Sequence, residues 1–210
     1  MPIVACLADR QFSFTVPQTA LLVIDMQRDF FGPDGAALRP IIPRVAAVLA
    51  AARRAGLTLI HTREGYAADG HDVNPYKRHL GYVGRPGPSG PFLVRGSQGH
   101  DFLAGFAPLP GEAVIDKAGF SGFYQTDLHE RLQAGGITHL ILQGVTSQCC
   151  VHSTLRDAVE RGYFCLTLTD CCAAEDPAIH EATLQIIQAE NHLFGWLAES
   201  PALLSALALG

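Results

Sequence analysis

The feature that most constrains this chain is a short apolar run that recurs, each time followed by a stretch with helical spacing. TALLVIDM, residues 19–26, is apolar at almost every position and closes on Asp25 and Met26. A strand with water on one face alternates apolar and polar residues. A continuous run therefore belongs to a strand covered on both faces, the mark of a parallel sheet between two helical layers. Residues 43–54 then place apolar side chains at 45, 48, 49 and 52, one face of a helix, and Gly56 ends them. The alternation continues with strands at 57–60 and 113–117, a helix over 124–133, and strands at 139–143 and 163–169. Helices follow to Arg161 and over 176–189, and the end allows a short sixth strand and a last helix. Strands alternating with helices predict an α/β three-layer sandwich with right-handed crossovers.

Two stretches lie outside this rhythm. Residues 1–18 mix polar and apolar side chains without a period and read as a peripheral arm. Residues 65–110 hold glycines, prolines, histidines and aromatics with little periodicity, and so long an irregular insertion in a compact domain is usually functional, here a substrate lid or an oligomer contact. At 210 residues, 48% hydrophobic and 17% charged, the chain predicts one folded domain over 1–210 rather than a disordered one. A formal charge of −5 without a basic cluster argues against nucleic acid or an anionic membrane as partner. No stretch reads as the roughly 20 apolar residues of a membrane helix, and MPIVACLADR lacks a signal-peptide pattern, so a cytoplasmic location is expected. The six cysteines occur as Cys6, Cys165 and the adjacent pairs Cys149/Cys150 and Cys171/Cys172, a spacing that suits buried or reactive thiols better than a disulfide framework.

Open α/β sheets carry their sites at the carboxyl ends of the strands. Asp25 closes strand one, Lys117 closes strand three and Cys150 follows strand four, so three reactive groups project from one edge. Lys117 stands out because 13 arginines accompany only two lysines, Lys77 and Lys117. A compact ammonium suits a site that must stabilise a thiolate. In THLILQGVTSQCCVHSTLRDA, residues 138–158, both Cys149 and Cys150 fall where a turn becomes a helix. The free N–H groups and dipole of a helix start favour thiolate over thiol, and position alone does not choose between the two cysteines.

ALLVIDMQRDFF, AVIDKAGFSGFYQTDL and GVTSQCCVHSTLRDA together resemble the cysteine hydrolases of the isochorismatase-like superfamily. The motif G-x-x-[ST]-x-x-C-V-x-x-T is matched by Gly144, Ser147, Cys150, Val151 and Thr154, which selects Cys150. The resemblance implies a six-stranded parallel sheet in the order 3-2-1-4-5-6, a catalytic Asp25, Lys117 and Cys150, and a cis peptide between Val145 and Thr146. It also implies an oxyanion site made of the Thr146 and Cys150 N–H groups, and no cofactor. Nicotinamidases of the superfamily bind a metal through Asp-x-His and a further His after strand two. Here His61, Thr62 and Arg63 break that pattern, so no metal is expected, although His61, His71 and His79 lie near in sequence. LIHTREG, RPGPSGPFLVRGSQGHD and RDAVERGYFCLTLTDCC look most like the biuret hydrolases and their ureide-cleaving relatives. The implied substrate is a small ureide-type amide, with a nicotinamidase or a carbamoylsarcosine-like amidohydrolase as alternatives. Phe30 and Tyr124 would flank a flat ligand, and Arg63, Gln125 and Glu190 would supply polar contacts. Glu190 stands where the biuret hydrolases carry a substrate-binding glutamine, and a carboxylate accepts but does not donate. A homodimer or homotetramer is expected. The rival from another class is a thiol redox protein cycling its vicinal cysteines, in which Cys149 would matter as much as Cys150 and Lys117 would be dispensable.

Overall fold

A computed structural model of the chain describes residues 1–209. Six parallel strands form the central sheet: β3 (Thr19–Ile24), β4 (Thr58–Glu64), β5 (Ala113–Lys117), β6 (His139–Val145), β7 (Phe164–Ala173) and β8 (Trp196–Ala198). Their spatial order is β8-β7-β6-β3-β4-β5, which in order of appearance is 3-2-1-4-5-6 as expected. All six residues of β3, at the centre, are buried, because helices cover both faces. One core packs α1 (Ile42–Ala55) and α6 (Ser200–Leu209) against Leu21, Val23, Ile141 and Leu166. The other packs α3 (Leu128–Ala134) and α4 (His152–Glu160) against Leu22, Ile24, Leu140 and Leu142.

Three segments differ from their sequence reading. The first 18 residues are not a loose arm: β1 (Ile3–Cys6) and β2 (Arg10–Ser13) form an antiparallel hairpin that buries Val4, Phe12 and Phe14 in the core. Strand β4 runs four residues past its apolar run, because His61 to Glu64 pair with Val114 to Lys117. Polar residues at the carboxyl end of a strand are invisible to a hydropathy reading, and here they are the ones that reach the site. The helix expected from residue 124 begins at Leu128, since Gln125 sits at φ 53°, outside helical space.

Segment Gly35–Ala55 corrects the membrane reading in one respect: it is 21 residues long and holds an 18-residue window of mean hydropathy 1.4, enough by length and composition to cross a bilayer. In the fold its second part is α1, and Val45, Val48, Leu49 and Ala52 face the sheet. Insertion 65–110 carries a short helix, α2 (Pro75–Leu80), capped by the Asn74 side chain, and lays Tyr66, Lys77 and Leu93 into buried positions.

Candidate active site

Asp25, Lys117 and Cys150 meet at the carboxyl edge of the sheet, fully or almost fully buried. Asp25 follows the last residue of β3 at φ 50°, a left-handed conformation that turns the chain sharply and leaves its carboxylate at the strand end. Its Oδ1 accepts from the Thr62 hydroxyl at 2.6 Å and its Oδ2 from Lys117 Nζ at 2.7 Å. Lys117 also donates to the Gly119 carbonyl at 3.0 Å. Burial disfavours the Lys117 ammonium, yet the negative charge of Asp25, with Cys150 and Glu64, outweighs it and raises the lysine pKa above its ordinary value. Asp25 is pushed up by burial first; Lys117 pulls it down and Glu64 pushes it up further.

Cys150 lies on one turn of π-helix, Ser147–Val151, that precedes α4, a distortion that recurs at functional sites. The motif residues around it have separate tasks. Gly144 has φ 125°, and a Cβ there would lie 2.0 Å from the Ile24 carbonyl oxygen, so only glycine lets β6 pass this close to β3. Ser147 Oγ is 2.7 Å from His180 Nδ1 and ties the turn to α5 (Pro177–His192). Thr154 donates to the Cys150 carbonyl at 2.7 Å and accepts from the Gly122 N–H at 2.9 Å, fixing the turn from below. The Val145–Thr146 peptide is cis, as the resemblance implied. Among the described residues, neither the Thr146 nor the Cys150 N–H is bound to a backbone carbonyl of another element.

The helix-start argument for a resting thiolate does not hold in this environment. The neighbouring Cys149 thiol, burial, and the charges of Asp25 and Glu64 push the Cys150 thiol well above its ordinary pKa; Lys117 opposes them and does not prevail. The thiol donates to Glu64 Oε2 at 3.4 Å. Glu64 was missed in the sequence, as were Tyr66, Lys77 and Tyr82. Glu64 Oε1 accepts from the Tyr66 hydroxyl at 2.6 Å and lies 3.4 Å from Lys77 Nζ. The signal available was the lysine count: both lysines of the chain are buried at this centre.

Residues 19–201 match the model of the isochorismatase domain. The chain belongs to the isochorismatase family. It is 33% identical to the ureidoacrylate amidohydrolase RutB of Methylorubrum extorquens, over 93% of this chain and 85% of that protein. It is 31% identical to the protein of that name in Cronobacter sakazakii, over 93% and 91%. Among solved structures, a cysteine hydrolase from Pseudomonas syringae superposes with a TM-score of 0.86 at 26% identity, covering 100% of this chain and 98% of that one. N-carbamoylsarcosine amidase from Thermoplasma acidophilum superposes at 0.71 and 25% identity, over 87% and 96%.

The remaining residues expected at the family's site divide. Phe30, half-buried on the turn after Asp25, meets the Phe92 ring edge-on at 6.0 Å and lines a cleft of about 200 Å³ with Asp29, Arg85 and Glu175. Tyr124 and Gln125 line a wider depression of about 740 Å³ with His71, Arg78 and His79. Arg63 does not join the cluster. Successive strand residues point to opposite faces, so with Thr62 and Glu64 at Asp25 and Cys150, His61 and Arg63 face away. Arg63 is held by Asp116 at 2.8 and 3.0 Å and lies over the Phe102 ring; His61 is bound to Glu112 at 2.9 Å. Glu190 is exposed and, within one chain, lies at the opposite edge of the sheet. The physical reason is that α5 starts beside the carboxyl end of β7 and the chain runs back to feed the parallel strand β8, so the kink at Ala189–Asn191, where Glu190 has φ 51°, falls towards the amino edge.

His61, His71 and His79, near one another in sequence, form no metal-ligand cluster among the described residues. Among the described residues, Asp25, Glu64 and Cys150 are the one group of His, Cys, Asp or Glu whose ligand atoms lie within 4.8 Å of one another. Each carboxylate there already has a lysine ammonium beside it, so a divalent cation would enter against two positive charges.

Proposed function

We propose that this chain hydrolyses a C–N bond of a small ureide-type amide and releases ammonia, with Cys150 as nucleophile, Asp25 as proton carrier and Lys117 as the charge that steadies both. A cysteine-dependent amidohydrolase is the class that the family and the named relatives support. The observation that carries the reading is the fully buried Lys117–Asp25 pair at 2.7 Å, with the Cys150 sulfur within 4.8 Å of the Asp25 carboxylate. A pair this dry is expensive to keep for stability alone.

The Cys149 thiol, burial and the nearby carboxylates favour the protonated Cys150 thiol, which gives up its proton as it attacks. Asp25 accepts it, Lys117 offsets the charge, and the sulfur bonds to the carbonyl carbon while the C=O electron pair moves onto oxygen. The Thr146 and Cys150 N–H groups meet that oxygen, a contact whose loss typically costs about 10²- to 10³-fold in rate. Asp25 returns the proton to the departing nitrogen, ammonia leaves, and water deprotonated by Asp25 resolves the S-acyl intermediate. No step calls on a cofactor.

A biuret-like substrate and a carbamoyl acid share the group this chemistry addresses, a terminal carbamoyl on nitrogen. The named relatives favour a ureide bearing a carboxylate. The redox alternative is disfavoured at its second pair: Cys171 and Cys172 are buried, and burial pushes both thiols up, away from the thiolate that exchange needs. The test is ammonia release across biuret, triuret, ureidoacrylate, N-carbamoylsarcosine, nicotinamide and maleamate, by the native chain and by Cys150→Ser. Turnover of a ureide that vanishes in the variant is the expected result; substantial turnover by the variant sinks the reading.

A further inference from the structure

The site holds a second carboxylate–lysine pair that the reaction above leaves without a task. Glu64 closes β4 and is 2% exposed. Lys77, 4% exposed, comes from the insertion; its ammonium bonds the Tyr66 hydroxyl and lies 3.8 Å from the Phe120 ring centroid. An ammonium this dry persists only beside a negative charge, and Glu64 is the carboxylate it has. Gln27 fixes the strand end from the other side, donating to the Glu64 carbonyl at 2.9 Å and accepting from its N–H at 2.8 Å. The Glu64 carboxylate is thereby aimed, with Oε1 committed to Tyr66 and Lys77 and Oε2 turned to the Cys150 sulfur. Asp25 differs, since both its oxygens already accept short bonds, from Thr62 and Lys117. In the resting site the S–H therefore goes to Glu64.

We propose that Glu64, held by Lys77 and Tyr66, is a catalytic residue that retains the Cys150 S–H until substrate enters, and that a substrate N–H then takes the place of the S–H at Oε2. The exchange breaks no covalent bond; it releases the thiol to give its proton to Asp25 and makes activation depend on a ligand that carries an N–H donor. The second half rests on the amidohydrolase reading, the first does not. The groups that face the sulfur are Glu64 from β4, Asp25 after β3, Lys117 from β5, Cys149 on the same turn and Tyr82 from the insertion, whose buried hydroxyl has no hydrogen-bond partner among the described residues.

Alkylation of Cys150 by methyl methanethiosulfonate, followed against pH in a Cys149→Ser background and mapped by peptide mass, reads the thiol without any substrate. Glu64→Gln removes the acceptor charge and should move the profile down by about one to two pH units, tenfold or more faster labelling at pH 7. Lys77→Met leaves Glu64 with only the Lys117 ammonium, 4.0 Å from Oε2, to offset its charge and should move the profile up. A site merely disturbed would shift the same way in both variants, and that result, or an unmoved profile, overturns the proposal. If Glu64→Gln does not fold, Lys77→Met decides: slower labelling supports the link, unchanged or faster labelling overturns it. With the best ureide, Glu64→Gln should also raise KM about tenfold; an unchanged KM refutes the exchange. Failure of the native chain to release ammonia from any ureide would instead remove the amidohydrolase reading and leave the labelling result standing.

Discussion

Replacing Lys117 by methionine isolates the electrostatic logic of the site. The two side chains have similar length, so the substitution removes charge and little volume. It leaves Asp25, 0% exposed, with one hydroxyl partner at 2.6 Å and the Glu64 carboxylate nearby. Breaking a buried pair from one side typically costs about 3–5 kcal/mol, because the remaining charge is uncompensated. With a urea m-value of about 2–3 kcal/mol per M, the midpoint should fall by about 1–2.5 M at pH 7. Trp196, the single tryptophan, sits in β8 among Phe12 and Phe164 on the far side of the sheet and reports unfolding without touching the site. The pH dependence has a definite sign. Asp25 is a carboxyl raised on folding, so its stabilising contribution is present below its unfolded value and is lost as pH rises through the folded one. Without Lys117 the rise is larger, and the penalty should shrink as pH falls from 7 to 5 and Asp25 takes up a proton. Lys117 is also raised, so its own contribution is present below its unfolded value near 10.4 and is lost only in strong alkali, outside this window. Asp25→Asn with Lys117→Met should recover most of the loss, since neither charge is then left alone. A Lys117→Met protein as stable as the native one at pH 7, or one whose deficit grows on acidification, would refute the reasoning.

Other outcomes follow from the same geometry. Cys149→Ser should retain most ammonia release while Cys150→Ser loses it; equal losses in a steady-state assay would restore the redox reading. Gly144→Ala must place a Cβ 2.0 Å from the Ile24 carbonyl at a backbone angle that side chains rarely adopt, and should cost at least about 3 kcal/mol in urea unfolding. Glu112, held by Arg53 at 2.7 and 2.8 Å, is lowered to about 2, so it stabilises the fold above its unfolded pKa and that contribution is lost as pH falls towards 2. Glu112→Gln should flatten the acid limb of the stability curve between about pH 4.5 and 2, measured by the same fluorescence.

The sequence by itself determined the sheet, since a continuous apolar strand has one physical solution, burial between helices, and five such runs separated by helical spacing leave little choice of architecture. It also marked Asp25 by a strand end and Lys117 as a rare lysine, while the turn into a helix offered Cys149 and Cys150 alike and only the family motif chose Cys150. Where an element continued on polar residues the reading stopped short, and Glu64 was passed over for that reason. Tertiary structure alone decided which face His61, Thr62, Arg63 and Glu64 present, because alternation along a strand acquires meaning only once the register with β5 is fixed. It decided that Glu190 belongs to the far edge of its own chain, a consequence of the direction in which α5 runs. It decided the surroundings of Cys150 too. A helix start favours thiolate, but the Cys149 thiol, burial and the carboxylates of Asp25 and Glu64 push the Cys150 thiol up, and those carboxylates come from strands more than 80 residues away in sequence. The insertion, without period in the sequence, brings Lys77 and Tyr66 to Glu64, because long-range ion pairs in a dry site leave no periodic trace along the chain.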